Sequence, residues 1–163
     1  MNLLKEIGKL AAALLIQVLL FNNLHFMGIC FPYVYIAALI CLPVMSRPTE
    51  MLIGFATGLL MDMFCSSPGM HTAACVLITW LRPVMLSRMV QEYERVTIPV
   101  SGASIGVAPF VRLAVTLCLL HHAVVFLMDD WSLLQPGWLF LRWTVSSAMS
   151  LLFILGYGLT RKP

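Results

Sequence analysis

Apolar residues run along this chain in long, nearly uninterrupted stretches, broken by short clusters of proline, glycine and charge. The stretches cover about residues 10–27, 31–45, 51–67, 70–86, 109–128 and 138–158. A helix that crosses a bilayer needs about 20 residues, with a range of roughly 17–25. The second and third are short for full crossings. Pro32, Pro43 and Pro48 bracket the second run, as at helix ends and mild kinks. Ser67-Pro68-Gly69 is a turn signal between the third and fourth. The pattern predicts an all-α membrane protein of about six transmembrane helices. Between the fourth and fifth runs, residues 87–98 place Met89, Val90, Tyr93 and Val96 on one helical face. Arg88, Gln91, Glu92 and Arg95 fall largely on the other, as in a short helix lying in the membrane interface.

Composition sharpens this picture. Of 163 residues, 61% are hydrophobic and 10% charged, with a mean hydropathy of +0.94. Soluble domains are about half apolar and a quarter charged, so this chain has too few polar side chains to cover a surface in water. An ordinary soluble enzyme and a disordered regulator are thereby excluded. The net charge of +3 is too small for a nucleic-acid-binding surface. No repeat or linker divides residues 1–163, which read as one integral membrane domain. The five cysteines (30, 41, 65, 75 and 118) show no CxxC spacing and are expected as reduced thiols. Lys5 and Lys9 precede the first run as in an export signal. No small-x-small cleavage pattern follows, so the segment is expected as a retained span.

Charge then orients the six-span arrangement. Nine of the ten basic residues, all but Arg142, fall on one side. The positive-inside rule makes that side, with both chain ends, cytoplasmic. Tyr33, Tyr35, Trp80, Trp131, Trp138 and Tyr157 lie near run ends, where amphipathic rings favour the headgroup level.

Asp62 is the most informative single residue. Gly54, Gly58 and Asp62 recur every four residues and so share one helix face. Glycines at that spacing let a second helix approach closely. A carboxylate within a span costs roughly 2.5–3.5 kcal/mol on insertion scales and normally faces protein or water with a partner. His71, across the Pro68-Gly69 turn, is the nearest candidate partner. These residues read as a packing or assembly element, with ligand or ion binding as the alternative. His121 and His122 are adjacent, so their side chains point about 100° apart and one metal ion does not easily take both. No Cys/His/Asp/Glu set has metal-ligand spacing, and neither metal nor cofactor is expected. Gly102-Ala-Ser104-Ile-Gly106 matches a GxSxG nucleophile motif, but no soluble α/β domain accompanies it and the sixth span holds no histidine base. A flexible small-residue linker is the better reading there.

The stretch from Gly54 to Phe64, followed by Ser67-Pro68-Gly69-Met70-His71-Thr72-Ala73-Ala74, resembles the rod shape-determining protein MreD family. Gln17-Val18-Leu19-Leu20 and Pro32 before an apolar run resemble it as well. Many members have an acidic residue after that proline, where this chain has Tyr33. The resemblance implies a non-enzymatic scaffold in the bacterial cytoplasmic membrane. Its implied partners are an MreC-like single-span protein, an MreB-like actin homologue, and the wall-elongating glycosyltransferase and transpeptidase. It implies a fold similar to the substrate-binding subunit of energy-coupling-factor transporters. Gly54, Gly58, Asp62, Pro68, Gly69 and His71 would then serve packing or assembly. Arg88, Tyr93 and Arg95 would face the cytoplasm, toward a partner or membrane lipid. The competing expectation is a small transporter subunit that binds a substrate in its helical core.

Overall fold

The computed structural model describes residues 3–23, 30–91, 99–129 and 135–161. Seven α-helices occur among them: α1 (Leu3–Leu19), α2 (Tyr35–Ile40), α3 (Arg47–Cys65), α4 (Met70–Met89), α5 (Gly102–Ile105), α6 (Val107–Asp129) and α7 (Pro136–Thr160). One 3-10 turn covers Phe21–Asn23, and no strand is present among the described residues. Glu92, Tyr93, Arg95, Val96 and Trp131, named above, lie outside them.

Three helices, α4, α6 and α7, are long and apolar enough to cross a membrane. At 1.5 Å per residue, the 23 residues of α6 extend about 35 Å. By contrast α1 has 17 residues, and α3 carries Arg47, Glu50 and Asp62 among its 19. Large apolar side chains face outward, including Leu52, Phe55 and Met63 of α3 and Phe140 and Leu152 of α7. Polar ones turn inward, among them Gln17, Glu50, Asp62, His71, Arg82, His121 and Ser150. That distribution suits an apolar surround, and the chain is a helical protein built for lipid.

The second run departs from the expected span. Only the six residues Tyr35–Ile40 are helical, and every one of them is buried. The backbone on either side is held by side chains of other elements. Ser146 and Ser150 of α7 accept from the amides of Phe31 (3.0 Å) and Tyr33 (2.9 Å). Gln17 of α1 donates to Pro32 O and accepts from the amide of Val34. Beyond the last turn, Arg82 donates to the carbonyls of Ile40 and Leu42, and Arg161 to that of Cys41. A short helix leaves its last carbonyls without partners. Irregular backbone at membrane depth persists only where protein satisfies it. The prolines at 32 and 43 therefore break this segment instead of kinking a continuous helix.

Tyr33 and Tyr35 are corrected by the same observation. Neither ring faces outward as an interfacial anchor would; both are buried among the helices. The segment Gly102–Ile105, expected as a flexible linker, is one helical turn closed by a capping box between Ser101 and Ser104.

Candidate functional site

The α3–α4 hairpin turns within four residues. Ser66 and Gly69 both adopt left-handed conformations (φ 54° and 82°), which glycine accommodates without strain at the second position. Pro68 lies between them. Gly69 then stands immediately before the first turn of α4.

Close approach of the two helices depends on the glycines of α3. A methyl group at Gly58 would come within 2.5 Å of Thr72 Cα and 2.6 Å of His71 O. One at Gly54 would meet Thr79 and lie 2.9 Å from Cys75 O. No larger residue fits either place without moving backbone. Gly54, Gly58 and Asp62 thus all face α4.

Asp62 reaches across to the start of α4. Its Oδ1 accepts from the amide of His71 (2.9 Å) and the hydroxyl of Ser67 (3.0 Å). Its Oδ2 accepts from the amide (2.9 Å) and the hydroxyl (2.6 Å) of Thr72. The first amides of a helix have no partner within it, and the positive end of the helix dipole favours a carboxylate there. Asp62 therefore acts as a cap for α4 supplied by the neighbouring helix. The imidazole of His71 is not its partner, as the sequence reading had it; the backbone amide of His71 is.

The imidazole instead joins a buried aromatic and polar cluster. Tyr35 Oη lies 3.2 Å from His71 Nδ1 and 2.7 Å from His121 Nε2. A phenol has one proton, so it donates to one ring and accepts from the other. Tyr33 packs its ring against His71, His121 and His122, with centroids 4.9–5.6 Å apart. His122 Nδ1 lies 2.9 Å from Cys118 O, which only accepts, so that nitrogen carries the proton. His122 Nε2 then accepts from Ser150 Oγ at 3.0 Å. His121 Nδ1 has no hydrogen-bond partner among the described residues. No group of three or more His, Cys, Asp or Glu suited to a metal occurs among the described residues.

A cavity of about 560 Å³ opens beside this cluster, at the end of the bundle where α3 meets α4. Asn22, Ser67, His71, Asp129 and Arg142 give it polar walls, with Phe31 and Phe126 between them. Arg142 pairs with Asp129 at 3.0 Å and lies over both phenylalanine rings.

Two charge clusters mark the opposite end. Glu50 and Arg82, both buried, pair at 2.8 Å, and Glu50 also accepts from the amide of Met45. Glu50 was not expected as a site residue, and Arg82 counted only as one of the nine basic residues on one side. The signal was an arginine deep inside an apolar helix, which calls for a buried anion. Near the chain ends, Glu6 pairs with Arg161 and with Lys9, the latter at 2.9 Å. Burial acts to raise the Glu6 carboxyl, but hydrogen bonds from Arg161 and Lys9 outweigh it and hold it below its ordinary range. Burial likewise disfavours the Arg161 cation, yet Glu6 raises it above its usual value.

Of the residues expected to face the cytoplasm, Arg88 ends α4. Trp80 is half exposed, as a lipid-facing ring would be. Ser104, centre of the GxSxG match, is bonded to Ser101 through both backbone and side chain. All five cysteines are free thiols. No protein-family model, curated protein or solved structure matches the chain.

Proposed function

We propose that this chain is a non-enzymatic scaffold of the MreD type, a multi-pass protein of the bacterial cytoplasmic membrane. It would help maintain rod shape by linking an MreC-like single-span protein, an MreB-like filament and the enzymes that elongate the wall. One observation carries this reading. The carboxylate most suited to binding a substrate, Asp62, is taken up by four hydrogen bonds from its own hairpin. It fixes α3 against α4, and the outward face of α3 is left bare and apolar, with Leu52, Phe55 and Met63 exposed. A rigid hairpin with such a face suits attachment to other membrane-embedded helices.

The six-crossing topology, with both chain ends in the cytoplasm, belongs to the same proposal. The broken segment around α2 serves as the second crossing. It is supported by the grouping of Glu6, Arg161, Glu50, Arg82 and Arg88 toward one end of the bundle, as positive-inside placement requires. A fold similar to the substrate-binding subunit of energy-coupling-factor transporters is proposed from the family resemblance alone.

The polar-walled cavity of about 560 Å³ favours a second reading, a transporter subunit that holds a solute there. One experiment separates the two. The chain is deleted from its host, and cell shape, recovery of the MreC-like protein and solute uptake are followed. A scaffold predicts rounded cells, and co-purification of the tagged chain with the MreC-like protein. Rod-shaped cells with no such co-purification would overturn the scaffold reading, and a specific uptake defect would establish the other.

A further inference from the structure

A groove of about 690 Å³ runs along the side of the bundle between α1, α2 and α7. Its size lies within the roughly 300–1,000 Å³ of ligand pockets. Ala37 and Ala38 of α2 form its floor, Ala12 and Ala13 line the α1 wall, and Gly156 lies in the α7 wall. These small residues keep the groove open. A methyl group built at Gly156 would meet no atom within 4 Å.

The groove is polar at one end only. There Lys9, Thr160 and Arg161 reach its lining, and no other charged residue among the described ones does. Lys9 and Arg161 share a single carboxylate, Glu6, so the cluster keeps one net positive charge. The Lys9 side chain is half exposed and free to turn toward a second anion. A long apolar slot with surplus positive charge at one mouth matches an amphiphile with one apolar chain and an anionic head. Basic pockets between membrane helices recognise anionic lipid headgroups in this way.

We infer that this groove binds an anionic phospholipid, with one acyl chain along α2 and the phosphate at Lys9 and Arg161. Its placement in the inner leaflet rests on the orientation proposed above; the site itself does not. The lipid would fill the space between α1 and α7 and tie both to the buried segment.

Native mass spectrometry of the full chain tests this, after delipidation in detergent and titration with phosphatidylglycerol or phosphatidylcholine. Wild type should bind the anionic lipid several-fold more tightly. Lys9→Gln should lower that affinity about fivefold, the effect of about 1 kcal/mol from one basic residue near anionic lipid, and leave phosphatidylcholine unchanged. Gly156→Leu should reduce both lipids by blocking the groove. Equal binding of the two lipids by wild type, or wild-type binding by Gly156→Leu, would overturn the inference. So would high-yield cross-linking of Gly156→Cys to another polypeptide in cell membranes. Should Gly156→Leu fail to fold, Lys9→Gln decides alone, and an unchanged preference for phosphatidylglycerol would count against the site. Binding is measured on the isolated chain, so failure here leaves the scaffold reading standing.

Discussion

Glu50 and Asp62, near opposite ends of the same helix, are both buried against α4, and their charges are compensated by different means. Among the described residues, no cation pairs with Asp62. Amides and hydroxyls from residues 67–72 surround it, all within ten positions along the chain. Glu50 faces the guanidinium of Arg82, more than thirty residues away, which at the same time holds two carbonyls beyond α2. The first arrangement is a local device that closes a hairpin. The second is a three-way joint among α2, α3 and α4. The difference teaches where this fold is vulnerable. A dipolar cage can lose its charge and stay partly satisfied, whereas an ion pair that loses one partner leaves the other charge stranded.

Removing Arg82 is the strongest way to break that joint. Arg82→Leu strands the Glu50 carboxylate and exposes the carbonyls of Ile40 and Leu42 to an apolar interior. The expected loss is about 3–5 kcal/mol, read from reversible unfolding in mixed micelles. A double variant, Glu50→Gln with Arg82→Leu, should recover part of that loss because no charge remains buried. If the two single changes simply added, the pair would not be the coupled joint described here.

The hairpin should break less readily. Gly58→Val forces side-chain atoms against the backbone of His71 and Thr72, and overpacking of this kind costs about 1–3 kcal/mol. Gly156→Ala, on open space, should stay within about 0.5 kcal/mol of wild type in the same assay. Asp62→Asn keeps an accepting oxygen at the start of α4 but removes the charge that favours the helix dipole. Its amide nitrogen cannot accept, so one amide at the start of α4 also loses its partner, and a loss of about 1–3 kcal/mol is expected. A loss as large as that for Arg82→Leu would mean that Asp62 compensates more than the α4 terminus.

The same contrast explains how far the chain could be read before it was seen folded. The α3–α4 hairpin was legible because its determinants are local: Gly54, Gly58 and Asp62 at helical spacing, then Pro68 and Gly69. The long apolar runs of α6 and α7 were equally plain. The segment around α2 was not, because an apolar run without periodicity reads the same whether it faces lipid or lies inside the bundle. What decides between them is the set of distant partners Gln17, Ser146, Ser150, Arg82 and Arg161. Each is a polar residue in or beside an apolar stretch, and each serves backbone that no helix satisfies. The role of Tyr35 was hidden for the same reason. Its partners, His71 and His121, lie on helices whose relative placement no local pattern states.

A small effect is expected at the Glu6–Arg161 contact, which joins α1 to the end of α7 outside the predicted spans. The folded-state carboxyl of Glu6 lies below its ordinary range, so this contact contributes stability at pH values above the unfolded value of about 4.3. As pH falls through the lower folded value, Glu6 takes up a proton and that contribution is lost. Ion pairs near a surface contribute about 0–1 kcal/mol, which sets the expected size. Glu6→Gln should therefore match acid-treated wild type and flatten this part of the acid response, while leaving stability at pH 7 lower by no more than that amount. The Glu50–Arg82 joint should not respond to Glu6→Gln, since the two clusters share no side chain. A loss at Glu6 that rivals the effect of Arg82→Leu would instead place the ends of the chain, and not the α2 joint, at the centre of the fold's stability.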